Sequence, residues 1–125
     1  MIHLDANYLI LGNQAGSPED ADLHRWLDAG KILASSAIAW MEFVSGPTTG
    51  PVIESIRHAL GDRIIPFTHA EAELAARLFN AVGRRRALRY DCMIAATAIA
   101  AGAELATRNA DDFRLFVPHG LVLAS

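Results

Sequence analysis

Residues 91–113, DCMIAATAIAAGAELATRNADDF, hold the pattern from which the architecture follows. From Cys92 to Ala101 the stretch carries no charge and is half alanine, too long for a strand and too apolar all round for a surface helix. It reads as a helix buried in the domain, begun by Asp91 and ended by Gly102. ELAT then reads as a short strand, with RNADDF as a loop or short helix at its end. A buried helix that feeds straight into a strand is the repeating unit of an α/β domain built on a parallel sheet.

The rest of the chain alternates in the same way. IHLD (2–5) is a first short apolar run, and NYLILGN reads as one or two helical turns ending near Gly12. Ser17 and Pro18 form a cap and first-turn pair, with Glu19 and Asp20 on the positive end of the helix dipole. That helix should stop at Gly30 and bury a face of Leu23, Trp26 and Leu27. KILASSA is the next strand. Ser35 and Ser36 are expected to cap AIAWMEFVSG, whose apolar residues are so dense that most of its faces should be covered. After the loop GPTTGP, PVIESIRHAL reads as a helix with Pro51 in its first turn and Gly61 at its end. RIIPF is a third strand, and THAE, with Thr68 and Glu71, is a capping box opening a helix to about Val82. GLVLA closes the order as a last strand. The expectation is one domain over residues 1–125, with a central parallel sheet of four or five strands flanked by helices.

With 125 residues, 52% hydrophobic and 20% charged, the chain matches an ordinary single globular domain. No apolar run reaches the roughly 18 residues of a membrane span, and the N-terminus lacks a basic region and cleavage site, so a cytoplasmic protein with no membrane partner is expected. The single cysteine, Cys92, has no disulfide partner or zinc-binding neighbours and reads as apolar filler. A net charge of −3 ordinarily argues against nucleic acid as a partner. If four carboxylates are gathered in one metal site, the remaining surface becomes slightly positive and that objection fails. The five histidines are scattered, and no phosphate-binding glycine loop is present.

Four acidic positions stand out because each abuts or interrupts an apolar segment: Asp5, Glu42, Asp91 and one of Asp111 or Asp112. Each has a bland reading. Asp5 and Asp91 would serve as helix N-caps, Glu42 as a snorkelled helix residue, and the 111–112 pair as loop charge. Together they tell more, since strand ends and the helix starts that follow them line one edge of a parallel sheet, where ligands bind. Clustered carboxylates repel unless a cation neutralises them, and an oxygen-only donor set favours Mg²⁺ or Mn²⁺. Such a site suits hydrolysis of a phosphate ester.

LDANYL, SSAIAWMEFVSG, YDCMIAATAIAAGAELATRNADDF and VPHGLVLA, taken in order, resemble a PIN-domain ribonuclease, specifically a VapC-type toxin of a toxin–antitoxin pair. The resemblance covers essentially the whole chain. It implies a PIN-like three-layer sandwich and a metal-dependent endoribonuclease inhibited by a cognate VapB-type antitoxin, with a homodimer expected. It also implies that Asp5 and Asp91 hold the metal, with Glu42 and Asp112 completing the catalytic set and Asn7 and Asn109 supporting it. Asp112 is preferred to Asp111 because it directly precedes Phe113, as in the family pattern. Ala6 departs from the pattern, in which Thr or Ser usually follows the first aspartate. The basic run holding Arg84, Arg85, Arg86 and Arg89 reads either as a solvated helix end or loop or, from its place beside the proposed site, as a guide for the RNA backbone, with Arg108 as a further candidate. Trp40, Met41, Phe43, Trp26, Leu27 and Tyr8 read as core residues, or as lining of an apolar groove for the antitoxin helix. The competing reading is a catalytically weak PIN-like module that binds RNA or protein. A phospho-aspartate signalling domain is disfavoured, because the only lysine, Lys31, precedes the second strand.

Overall fold

The computed structural model describes residues 1–125. Five strands, β1 (Ile2–Leu4), β2 (Leu33–Ser36), β3 (Ile64–Ile65), β4 (Glu104–Ala106) and β5 (Val122–Leu123), form one sheet in the order β3-β2-β1-β4-β5, with every pairing parallel. Seven helices connect them: α1 (Ala6–Leu11), α2 (Pro18–Asp28), α3 (Ala37–Ser45), α4 (Gly50–Ala59), α5 (His69–Ala81), α6 (Arg89–Ala101) and α7 (Ala110–Phe113). A 3-10 turn over Arg114–His119, absent from the sequence reading, leads into β5. The chain builds β1, β2 and β3 outward in one direction and then returns to lay β4 on the other side of β1. The order therefore reverses between β1 and β4, and the C-terminal ends of those two strands form the edge at which such sheets take their ligands.

The strands alternate their side chains between two cores, which makes the molecule three layers deep. Ile2, Leu4, Leu9, Trp26, Phe43 and Ile56 pack on the face covered by α1, α2 and α4. Leu105, Ala95, Ile94, Leu78, Phe113 and Phe116 pack on the face covered by α5 and α6. α6 is nearly sheathed from Cys92 to Ala98, as its composition required, and its alanines let it lie close to the sheet. His3, opposite Leu105 on the α6 face, is 1% exposed, and neither ring nitrogen has a hydrogen-bond partner. Burial pushes it down to about 4, so it is neutral at physiological pH.

Several local expectations change. Ser36 alone caps α3, accepting from the Ala39 N–H at 3.0 Å; Ser35 points the other way along the strand and donates to the Leu4 carbonyl at 2.8 Å, tying β2 to β1. α3 is covered on most of its surface but leaves Met41 and Val44 exposed, and Leu27 likewise leaves the apolar face expected for α2. Thr68 opens α5 where expected, but its hydroxyl donates to Glu71 and does not accept from the helix backbone.

Candidate functional site

Asp5 is the first residue beyond β1, at the point where the strand order reverses. Its backbone N–H continues the sheet, donating to the Ala106 carbonyl at 2.9 Å, so the carboxylate is delivered by the sheet itself. One oxygen accepts from the Ala6 N–H at 2.8 Å and the other from the Thr107 hydroxyl at 2.7 Å. Asp5 is thus both the N-cap of α1 and a member of the acidic edge, 5% exposed. Burial raises its carboxyl above the usual range, against the lowering effect of those two hydrogen bonds.

Thr107 was not anticipated as a site residue. It stands just past β4, directly beside Asp5, and its oxygen also accepts the Asn109 N–H at 3.0 Å. A hydroxyl therefore reaches Asp5 from β4, although Ala6 offers none from α1. A threonine at a strand end carries no signal beyond β propensity, and only the parallel pairing of β1 with β4 brings it there.

Glu42 projects from α3, which α1 and α6 both contact. Its carboxyl is raised first by burial and then by the charges of Asp5 and Asp91. Asp91 lies in the first turn of α6. The N-cap reading fails here: the preceding 3-10 turn, Arg86–Leu88, runs into the helix, and Leu88 takes the cap position. Burial, followed by the charges of Asp5 and Asp112, pushes Asp91 up to about 6. Asp112 on α7 is exposed yet close enough for its charge to act on Asp91, whereas Asp111 pairs with Arg114 and its side chain is 90% exposed. The fold brings Asp5, Glu42, Asp91 and Asp112 into one electrostatic neighbourhood.

They do not close on a point. No three of the Asp, Glu, His or Cys side chains stand close enough to hold an ion between them. An arrangement of one or two protein carboxylates with water filling the other positions is what Mg²⁺ ordinarily accepts. Burial first, and for Glu42 and Asp91 the neighbouring negative charges second, disfavour the ionised carboxyls; a cation would relieve both, and the donors are all oxygen, so the residues fit a hard divalent ion.

Asn7 accepts from the Arg108 N–H at 3.4 Å, which ties α1 to the segment after β4. Asn109 holds α7 through its carbonyl, which accepts from the Asp112 and Phe113 N–H groups. Arg84 adopts a left-handed backbone conformation, stacks on Phe79 and bonds to Asn80. Arg85, Arg86 and Arg89 are exposed without an ion-pair partner, in the turn and first residue that lead into α6, and Arg89 lies over the Tyr90 ring. Arg108 pairs through Nε with Glu19, 3.3 Å away, and the rest of its guanidinium is free.

A family profile for the PIN domain matches residues 2–116. The chain belongs to the PIN domain family. Among solved structures, FitAcB from Neisseria gonorrhoeae superposes with a TM-score of 0.72 at 25% identity, covering 99% of this chain and 97% of that one. A toxin–antitoxin complex from Klebsiella pneumoniae gives the same score at 29% identity over 90% of each chain. VapBC2 from Rickettsia felis, solved with a DNA fragment from its promoter, shares the fold at 22% identity, with 99% and 98% covered. No curated relative matches by sequence. No helix is long and apolar enough to cross a membrane.

Proposed function

We propose that the protein is the toxin of a VapC-type toxin–antitoxin pair and acts as a Mg²⁺- or Mn²⁺-dependent endoribonuclease. The observation that carries the reading is the gathering of Asp5, Glu42, Asp91 and Asp112, four carboxylates from four separate elements, at the β1/β4 edge where a parallel sheet binds its ligands, close enough that Asp5 and Asp91 act on Glu42 and that Asp5 and Asp112 act on Asp91. Asp5 and Asp91 would hold the cation. When bound, it supplies positive charge that neutralises phosphate oxygens and makes water more acidic. Glu42 and Asp112 flank that pair, and their part is to orient the attacking water and accept its proton as the P–O bond to the leaving ribose oxygen breaks, that oxygen taking a proton from solvent water. Arg85, Arg86 and Arg89 offer exposed cations to the neighbouring RNA phosphates, and the free edge of Arg108 offers another. A VapB-type antitoxin and a homodimer are the partners proposed, in keeping with the toxin–antitoxin complexes the fold resembles and with the apolar residues left open on α3.

The test is cleavage of a mixed cellular RNA pool by antitoxin-free protein in Mg²⁺, in Mn²⁺ and in EDTA, with Asp5→Asn and Asp91→Asn in parallel. Discrete cuts that need the metal and vanish in both variants support the nuclease. Identical behaviour of wild type and variants, with or without metal, refutes it and favours the binding module, the reading to which the spread of the carboxylates would then belong.

A further inference from the structure

Glu19 is, with Asp5, one of two carboxylates buried in the fold, 5% exposed in the first turn of α2 and outside the acidic edge. Its one ion-pair partner is Arg108. A carboxylate withdrawn from water is costly unless a cation meets it, and this pair is half-open, with the Arg108 side chain 57% exposed, so it adds little stability of its own. Its position is therefore more informative than its energy. Arg108 lies between Thr107, whose hydroxyl donates to Asp5, and Asn109, whose N–H is held by that same hydroxyl. The Arg108 backbone is fastened to α1 through Asn7, and its side chain to α2 through Glu19. The segment that touches Asp5 is anchored at both of its outer contacts.

We propose that Glu19 is a positioning residue for the cation site: through Arg108 it holds residues 107–109 so that Thr107 fixes the Asp5 carboxylate in a metal-competent orientation. The inference rests on the metal reading of the preceding section. α2 has other holds on α1, the Tyr8 hydroxyl donating to Asp22 at 2.8 Å and the Tyr8 ring lying 5.7 Å from that of Trp26. Removal of the Glu19 charge should therefore leave the fold in place.

The experiment measures Mn²⁺ affinity by calorimetry and amide exchange at Asn109 in the full chain, for wild type, Glu19→Gln, Arg108→Met, Thr107→Val and the pair Glu19→Gln/Thr107→Val. Glu19→Gln and Arg108→Met should each weaken Mn²⁺ binding by roughly tenfold or more, the range found for groups that orient metal ligands, and should speed exchange at Asn109. Arg108→Lys should recover part of the loss. The double variant should bind about as weakly as Thr107→Val alone, because both changes cut one path. A Glu19→Gln protein that binds Mn²⁺ like wild type, whatever its unfolding temperature, overturns the proposal and leaves the metal reading standing, as does full multiplication of the losses in the double variant. If wild type itself binds no Mn²⁺, both fall.

Discussion

Asp91→Asn should stabilise the metal-free protein at neutral pH while abolishing its response to metal. The Asp91 carboxyl is held at about 6 by burial and by Asp5 and Asp112, against 3.8 in an unfolded chain. Between those values the folded state keeps a proton that the unfolded state has released. Stability therefore falls as pH rises through the window, and the full cost is present above about 6. At full weight the shift is worth about 3 kcal/mol; the side chain is only partly buried, and solvent screening reduces this to about 1–2 kcal/mol. For a domain of this size that corresponds to roughly 5 °C in unfolding temperature. The assay is urea and thermal unfolding in EDTA from pH 8 to pH 4. His3 acts in the opposite sense: its pKa is about 4 in the fold and 6.5 outside it, so acidification costs the fold up to about 3 kcal/mol across that interval. Both proteins carry His3, so its effect cancels in their difference, and the advantage of Asp91→Asn should shrink from its full value at pH 7.5 to nothing near pH 4. In a His3→Leu background the gain of wild type on acidification should become visible directly. With Mn²⁺ at a hundred times its dissociation constant, wild type should gain about 2.7 kcal/mol and the variant nothing. A gap that is absent at pH 7.5, or that persists unchanged at pH 4, refutes the reasoning.

Asp112→Asn should reduce RNA cleavage by at least tenfold while Asp111→Asn leaves it within about twofold, measured on one labelled substrate, since only Asp112 acts on Asp91 and Asp111 is turned to Arg114. Ser36→Ala removes the cap of the helix that carries Glu42 and should cost about 1 kcal/mol in urea unfolding, with Ser36→Thr recovering most of it. Phe113→Ala empties a fully buried site against Phe116 and should cost about 3–5 kcal/mol; because α7 also carries Asp112, cleavage should fall before the protein unfolds, a separation visible by assaying at low temperature.

The order of elements was legible because its signals are local. Ser17 with Pro18, Thr68 with Glu71 and the glycines at 30 and 102 mark helix ends from within a few residues, and both glycines have positive φ as the turns require. The charge-rich run before Asp91 hid the true start of α6 at Arg89, because consecutive arginines read as loop whether or not a 3-10 turn winds through them. Ser35 and Ser36 look equivalent as letters, but the two-residue period of a strand sends their hydroxyls in opposite directions, one to a neighbouring strand and one to the helix that follows. Four carboxylates could be picked out because each disturbs an apolar pattern.

Glu19 could not be found that way, since a glutamate in a first helical turn is what the dipole favours whether it is buried or exposed. What separates the two cases is Arg108, which reaches α2 only after the chain has returned to lay β4 beside β1. Thr107 is hidden by the same return. The acidic edge is thus written locally, residue by residue, while the groups that hold it in shape are written in the strand order. A sequence reading that stops at the carboxylates therefore identifies the charge of the site and misses its supports. For the same reason a second PIN chain could keep all four acids and still bind metal poorly, if nothing after its fourth strand meets the first aspartate.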